Sequence, residues 1–467
     1  MFSPFQKPLE SLDATDLERL RHVAEGWYVE YKSELSKAPD IAKSISAFAN
    51  TYGGWVFYGV GEKSKSEPVA ESFLGINLGN VDAALQRIRQ AVAQHMNPAA
   101  HFDVRAIQGD GVSLAADKIV IGVRVPQSPT APHVHTSGKI YRRVADGSEP
   151  KAENDRHLLD QMFRRSDELK KDFKNWVGRD PEFSKDEAKV PYLRLLMIAD
   201  PWGEENPWLE TDAMRLKSLF GKEKGLMAAV PLNSIYTSHN GYIARQANGN
   251  DPHNLGLTWR FRESLVSDVL VPLNFYNVDS PYALGEHLGG YEQAERFVRI
   301  LEASNYAAPR VVDLNLLFNL LIGLVETQRR LLAEAKWTKP YFIKAKLLNV
   351  WRTIPFLDVD HIIEGFEADG LPVCLDKIVT TPPGSDPDTF QKVEAFVTIT
   401  DEDGERADIV IQALTILQPI ARAWGLSFAL DADRYPDTFR KLHEASVLAI
   451  ELQKGKTHKT PLPTPRF

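Results

Sequence analysis

The sequence predicts an α+β protein built from more than one domain. Three observations carry that prediction. Short apolar runs of strand length alternate with amphipathic stretches of helical period. The 467 residues exceed what one typical core organises. A stretch dominated by charges, residues 166–189, separates the first third of the chain from the rest. The expected organisation is a small mixed-sheet domain over 1–165, a charged linker over 166–189, a larger α+β domain over 190–453 and a disordered tail over 454–467.

Composition narrows the class. A hydrophobic content of 43% and a charged content of 25% are those of an ordinary globular protein. The longest apolar run, residues 314–325, is interrupted by Asn315 and Asn319 and suits a buried helix, not a membrane span. The opening MFSPFQKPLESLD lacks the basic and then apolar pattern of a secretory signal. The single cysteine, Cys374, excludes an intrachain disulfide and a cysteine-based zinc site. A cytoplasmic chain with no membrane partner is the expectation. The net charge of −8 argues against a protein that coats nucleic acid nonspecifically. The first 165 residues are neutral, with 20 basic and 20 acidic residues, so any site for a polyanion belongs to a local groove there.

In chain order, residues 1–12 carry Phe2, Pro4, Phe5 and Pro8 with little pattern and read as an arm. Leu17, Leu20 and Val23 make the stripe of a short helix over 15–25. Residues 29–32, VEYK, have strand content, and alternation puts Glu30 and Lys32 on one face and Val29 and Tyr31 on the other. Ile41, Ile45 and Phe48 fall at helical spacing over 40–52, and Gly53 and Gly54 supply its stop. Residues 55–60 read as a buried strand and 62–68 as a charged loop. A helix over 80–95, strands over 102–107 and 118–125 joined through Gly109-Asp110-Gly111, a proline-punctuated loop over 126–135, a strand over 140–144 and a helix over 153–165 complete the domain. In the second region, strands are expected at 192–199, 242–246, 258–262, 265–275, 341–353 and 373–380, and helices at 291–304, 311–337 and 409–424.

The chemistry concentrates between residues 25 and 62. Phosphodiester hydrolysis at neutral pH commonly uses a divalent cation that activates water and neutralises developing charge. Mg²⁺ or Mn²⁺ takes carboxylate oxygens, and Glu25, Glu30 and Glu62 supply three, with Lys32 placed to hold water or phosphate. Taken alone, an acid and a lysine on one strand read as a surface ion pair worth under about 1 kcal/mol, and Glu25 as a helix-end charge. Lys63, Lys65, Arg142 and Arg143 are candidates to line a phosphate groove; Arg164 and Arg165 read better as a solvated face. Asn50 reads as a cap for its helix end. His133 and His135 lie two apart in what reads as a surface loop. The GGWVFYGVG run lacks the Gly-Lys-Ser/Thr of a phosphate loop, and its glycines precede a strand. Trp259 with Arg260 and Arg262 fits either base stacking or a core tryptophan beside exposed arginines.

Several of these segments, taken in order, resemble the Schlafen AlbA_2 family. They are EYK at 30–32, SAFANTYGG at 46–54, YGVGEKS at 58–64, and Tyr141, Arg143 and the DGSEP of 146–150. The resemblance spans roughly residues 13–165. It implies a nucleic-acid-acting domain, in some relatives a metal-dependent endoribonuclease of tRNA and rRNA and in many bacterial relatives a DNA-binding domain. It places Glu25, Glu30 and Glu62 at the positions of three catalytic acids, with Mg²⁺ or Mn²⁺ as the cofactor, and implies a homodimer. Glu62 departs from the pattern, which has Asp there, and Gly61 replaces an acid beside it. Two other classes fit the same residues: a non-catalytic DNA- or RNA-binding regulator, and a protein-interaction module with vestigial acids. The second region resembles no recognised family and is expected to bind a protein or ligand, as a sensor or partner-binding part.

Overall fold

The computed structural model describes residues 2–5, 7, 9–144, 147–205, 207–220, 230, 232–246, 255–394, 402–426 and 437–457. The chain forms two compact units, residues 1–176 with 202–206, and residues 177–201 with 207–467. Among the described residues no helix is long and apolar enough to cross a membrane.

The first unit contains β1 (Val29–Lys32), α1 (Ala38–Asn50), β2 (Gly54–Tyr58), β3 (Gly61–Glu62), β4 (Ala70–Ser72), β5 (Ile76–Asn77), α2 (Val81–His95), β6 (Met96–Asn97), β7 (Asp103–Ile107), β8 (Lys118–Val125), β9 (Val134–His135), β10 (Tyr141–Val144), β11 (Gly147–Ala152) and α3 (Arg156–Gly178). β1 pairs parallel with β2, β2 antiparallel with β8, and β5 and β7 pair with β8. Strand alternation sorts β2 between two cores. Val56 and Tyr58 face α1 and α2 through Ile41, Ile45, Phe48 and Ile88. Trp55 and Phe57 face the other way, against Phe5, Leu9, Leu12, Leu17 and Leu20. The N-terminal residues are therefore not a loose arm; they cover the second face of the sheet, with Phe5 edge-on to Trp55 at 5.5 Å. The helical segment after them is a 3-10 helix, Asp16–His22.

Helix α1 ends as its glycines require. Gly53 adopts a φ of 73° and its N–H returns to the Phe48 carbonyl at 2.9 Å. Gly54 lies where a Cβ would occupy the space of the Phe48 ring. The helix expected to close the unit at residue 165 runs on to Gly178, through much of the stretch expected as a linker. In the DGSEP segment, residues 145 and 146 lie outside the described residues, and the remainder belongs to β11.

The second unit contains β12 (Tyr192–Ile198), α4 (Ala213–Phe220), β13 (Ser234–Ser238), β14 (Gly241–Arg245), β15 (Thr258–Arg262), β16 (Val266–Pro272), β17 (Asn274–Asn277), α5 (Pro281–Leu288), α6 (Ala294–Ala303), β18 (Arg310–Asp313), α7 (Asn315–Glu334), β19 (Tyr341–Leu348), β20 (Ile354–Phe356), α8 (Asp360–Asp369), β21 (Ile378–Thr381), β22 (Gln391–Val393), α9 (Glu402–Ala423) and α10 (Thr438–Thr457). Its antiparallel sheet runs β13–β14–β15–β16–β12–β19–β21, and β22 also pairs with β19. A smaller sheet orders β17–β18–β20, with β18 and β20 parallel. Residues 311–313, expected at the start of a helix, are strand: Val311 and Val312 are β-branched and buried, and the helix begins only at Asn315. Of the strand expected over 373–380, only residues from Ile378 onward are strand. Trp259 is a core residue, edge-on to Phe220 at 4.9 Å, while Arg260 and Arg262 are exposed. Helix α10 extends through Thr457, past the expected start of the tail at 454; residues 458–467 lie outside the described residues.

Because Phe5 is almost wholly buried against Trp55 and Phe57, Phe5→Ala is expected to destabilise the first unit by about 3 kcal/mol. Urea denaturation followed by tryptophan fluorescence checks this; an unchanged midpoint would mean that the N-terminal residues do not cover the sheet.

Candidate functional site

The register Glu30↔Val56 puts Glu30 on the helix-covered face of the sheet, not on an open one. It is 1% exposed. A charge there needs a partner. Arg143, fully buried, donates from Nη1 to Glu30 Oε2 at 2.8 Å. Glu30 Oε1 accepts from Ser44 Oγ on α1 at 2.9 Å and from Lys32 Nζ at 3.0 Å. Arg143 also donates from Nε and Nη2 to the Gly26 carbonyl at 3.0 and 2.7 Å, and its guanidinium lies 4.7 Å from the centre of the Phe48 ring. This is a correction to the sequence reading: Arg143 is not on a groove but inside the domain, tying β10 to β1.

The end of α1 holds β10 in place for that contact. Thr51 Oγ1 accepts from the Arg143 N–H at 2.9 Å and donates to Ala47 O at 2.7 Å. Asn50 does more than finish its helix: Nδ2 donates to the carbonyls of His133 and Tyr141 at 3.0 and 2.9 Å, and Oδ1 accepts from His133 N–H at 2.7 Å. His133 and His135 are buried, contrary to the surface-loop reading. The ring of His133 meets Pro98 O at 2.7 Å and that of His135 meets Pro39 O at 3.1 Å. Burial holds both imidazoles below their ordinary pKa.

Around this buried pair the other expected acids are arranged unequally. Glu25 is half-buried and accepts the Tyr31 N–H. Burial pushes its carboxyl up to about 7; the Tyr31 N–H and Lys32 oppose the shift, and Glu30 and Glu62 add to it. Glu62 is exposed on β3. Burial works against the charge of Lys32, but Glu30 and Glu25 outweigh it and raise its pKa. Glu25, Glu30, Glu62 and Lys32 thus share one electrostatic neighbourhood. Their geometry does not fit a metal cage: both oxygens of Glu30 are engaged. Among the described residues, the group with ligand atoms mutually within 4.8 Å is His101, Asp103 and Glu205, not these three acids. That other group is already bridged by an arginine, since Arg124 pairs with Glu205 and lies 3.5 Å from Asp103.

Of the expected phosphate contacts, Lys63 is exposed but pairs with Glu67 at 2.6 Å, Lys65 is exposed, and Arg142 is half-buried and paired with Glu153. Arg164 is exposed, whereas Arg165 donates to Ser128 O at 3.0 Å. The sequence reading passed over an aromatic cluster beside Gly26. Trp27 lies 5.6 Å from Tyr52, Tyr28 lies 6.4 Å from Tyr52, and Phe2 stacks on Tyr28 at 5.1 Å. Tyr52 is 52% exposed. The signal was present in the adjacent Trp27 and Tyr28 and in a tyrosine directly before the glycine stop.

These elements are the ones a family comparison recovers. Residues 25–152 match the family model described as Schlafen, AlbA_2. The Schlafen AlbA_2 match covers the sheet, α1, α2 and the Arg143 hairpin, and it ties this part of the chain to a nucleic-acid-related function. No curated protein matches the chain. Solved structures that match include the DIP2311 protein from Corynebacterium diphtheriae. It is 15% identical over 33% of this chain and 31% of that one, with a TM-score of 0.21. The chain thus spans under a third of that protein's length, a likeness too slight to bear on fold or function.

Two outcomes follow from the geometry. Arg143→Met leaves the buried Glu30 with Lys32 as its remaining cation and Oε2 unpaired, and is expected to cost about 3 kcal/mol; adding Glu30→Gln should recover part of that loss in thermal denaturation. For Glu25 the folded pKa lies above the ordinary value, so the folded state binds the extra proton and loses stability as pH rises toward and through about 7. Glu25→Gln should therefore raise Tm relative to wild type at pH 8 and much less at pH 5, where the native carboxyl is protonated.

Proposed function

We propose that the first unit binds nucleic acid, single-stranded or with unpaired bases, on the face that carries Trp27, Tyr28 and Tyr52, with Lys32 and Lys65 contributing to the phosphate backbone. One observation carries the reading: an aromatic cluster of half-buried Trp27 and Tyr28 with exposed Tyr52 stands beside Gly26, whose carbonyl is clamped by a buried arginine. Aromatic side chains on a rigid edge stack on any base, and this tolerates sequence while needing few charges. That suits a unit whose first 165 residues carry no net charge. The family match over residues 25–152 supports nucleic acid as the ligand class. In this reading Glu30 serves the architecture and the protein acts as a binding regulator.

A second reading, a divalent-metal-dependent endoribonuclease acting on tRNA- or rRNA-type substrates, is favoured by one feature. Glu25 has a carboxyl poised near neutrality beside Glu62 and Lys32, the property expected of a proton-transferring group. It requires the Glu30 contacts to rearrange before Mg²⁺ or Mn²⁺ is held by the three acids.

Fluorescence anisotropy with labelled single-stranded RNA and DNA tests the first reading. Tyr52→Ala is expected to weaken binding about tenfold, in line with stacking worth about 1–3 kcal/mol per base. Unchanged affinity in Tyr52→Ala and Trp27→Ala would contradict it. The same RNA incubated with Mn²⁺, Mg²⁺ or EDTA should remain intact; metal-dependent cutting lost in Glu25→Gln would establish the second reading instead.

A further inference from the structure

The second unit holds a cavity of about 420 Å³ lined by Ala188, Arg310, Asn349, Trp351 and Lys377. Two of the five are cations, one is an indole, one an amide, and no carboxylate is among them. We propose that this cavity is a nucleotide site, in which the base stacks on Trp351 and the phosphate is held by Arg310 and Lys377. The volume falls in the range of small-molecule sites, which bury a ligand with a few placed polar groups.

Each lining residue is presented by a specific feature of the chain. Arg310 opens β18 opposite Asn277, and its guanidinium lies over the Phe275 ring at 5.4 Å. Its Nε is buried with no hydrogen-bond acceptor among the described residues. Trp351 lies in the turn between β19 and β20. That turn carries two non-glycine residues of positive φ, Asn349 at 60° and Arg352 at 54°. Such backbone persists where the surroundings enforce it, and here they do. Val350 N–H donates to Lys377 O at 3.2 Å and Arg352 N–H to Cys374 O at 2.7 Å. These bonds fasten the Trp351 turn to the Lys377 segment. Asn349 is anchored by a bond from Nδ2 to Val190 O at 3.1 Å.

Arg352 lies 4.5 Å from the centre of the Trp351 ring, yet Trp351 remains 46% exposed and reaches the cavity. The nearest acid by sequence to Ala188, Glu187, is engaged: its two carboxylate oxygens accept the N–H groups of Leu255 and Ser184 at 2.6 and 2.8 Å. Asp376 precedes Lys377 and is exposed. An aromatic plane and two cations in one cavity, without a lining acid among the described residues, match a base and a phosphate held on one sugar. The ligand is either a free mononucleotide or the terminal nucleotide of a strand.

Equilibrium dialysis of the full-length protein with radiolabelled AMP tests the site. The expected result is saturable binding for which inorganic phosphate and adenosine each compete at least tenfold more weakly than AMP. Lys377→Gln, Trp351→Ala and Arg310→Gln should each weaken AMP binding about tenfold. Lys377 and Trp351 are exposed enough for their variants to fold, and an unchanged Tm for those two verifies it. A 5′-phosphorylated oligonucleotide displacing labelled AMP tenfold better than AMP itself assigns the site to a strand end; equal or weaker displacement assigns it to the free nucleotide. No AMP binding by the wild-type protein, or AMP binding untouched by both Lys377→Gln and Trp351→Ala, overturns the proposal.

Discussion

A carboxylate on the covered face of a strand must be neutralised where it stands, and the first unit is arranged around how this is done for Glu30. The cation comes from Arg143, far along the sequence, so β10 has to be brought beside the end of α1. Asn50 and Thr51 do that through four hydrogen bonds to residues 133, 141 and 143. The same guanidinium then clamps Gly26, which fixes the backbone next to Glu25 and Trp27. A buried pair of this kind adds little net stability over an apolar replacement, but it is intolerant of losing one member. Its role is specificity of arrangement: it sets where the neighbouring acids and aromatics stand.

The constraint recurs in the second unit. Arg194 on β12 is buried and makes paired bonds to Asp268 on β16 at 2.9 and 2.6 Å. Lys346 on β19 is buried beside it, bonding Asp180 and Val177 O. Lys344 has no carboxylate partner among the described residues; it donates to the carbonyls of Pro382 and Thr389, and burial lowers its pKa to about 8. Central strands that carry charges inward each found acceptors. The cavity lined by Arg310 and Lys377 contrasts with these networks, because Nε of Arg310 has no acceptor among the described residues.

How much of this was legible follows from the range of each signal. Local period and turn chemistry located β1, α1, β2, α2, β7 and β8, because alternation and glycine stops act within a few residues. The motif EYK and the arginine of 141–143 were both visible in the sequence. That they form one buried pair was not, since it depends on which face α1 covers. The covering of Trp55 and Phe57 by Phe5 and Leu9 was hidden for a similar reason: an irregular segment shows no period, yet it buries apolar residues. Val311 and Val312 were misread as helix because a β-branched pair leading directly into a long apolar helix shares its hydrophobicity.

The arrangement of the first unit turns on Glu30 being committed to Arg143 and Lys32 instead of to a metal. Titration of the full-length protein with Mn²⁺, followed by electron paramagnetic resonance of the free ion, measures this most directly. The prediction is that no tight stoichiometric site depends on the acids around Glu30, so that wild type and Glu62→Gln give the same free-ion signal. One tightly held Mn²⁺ per chain that Glu62→Gln abolishes would contradict it.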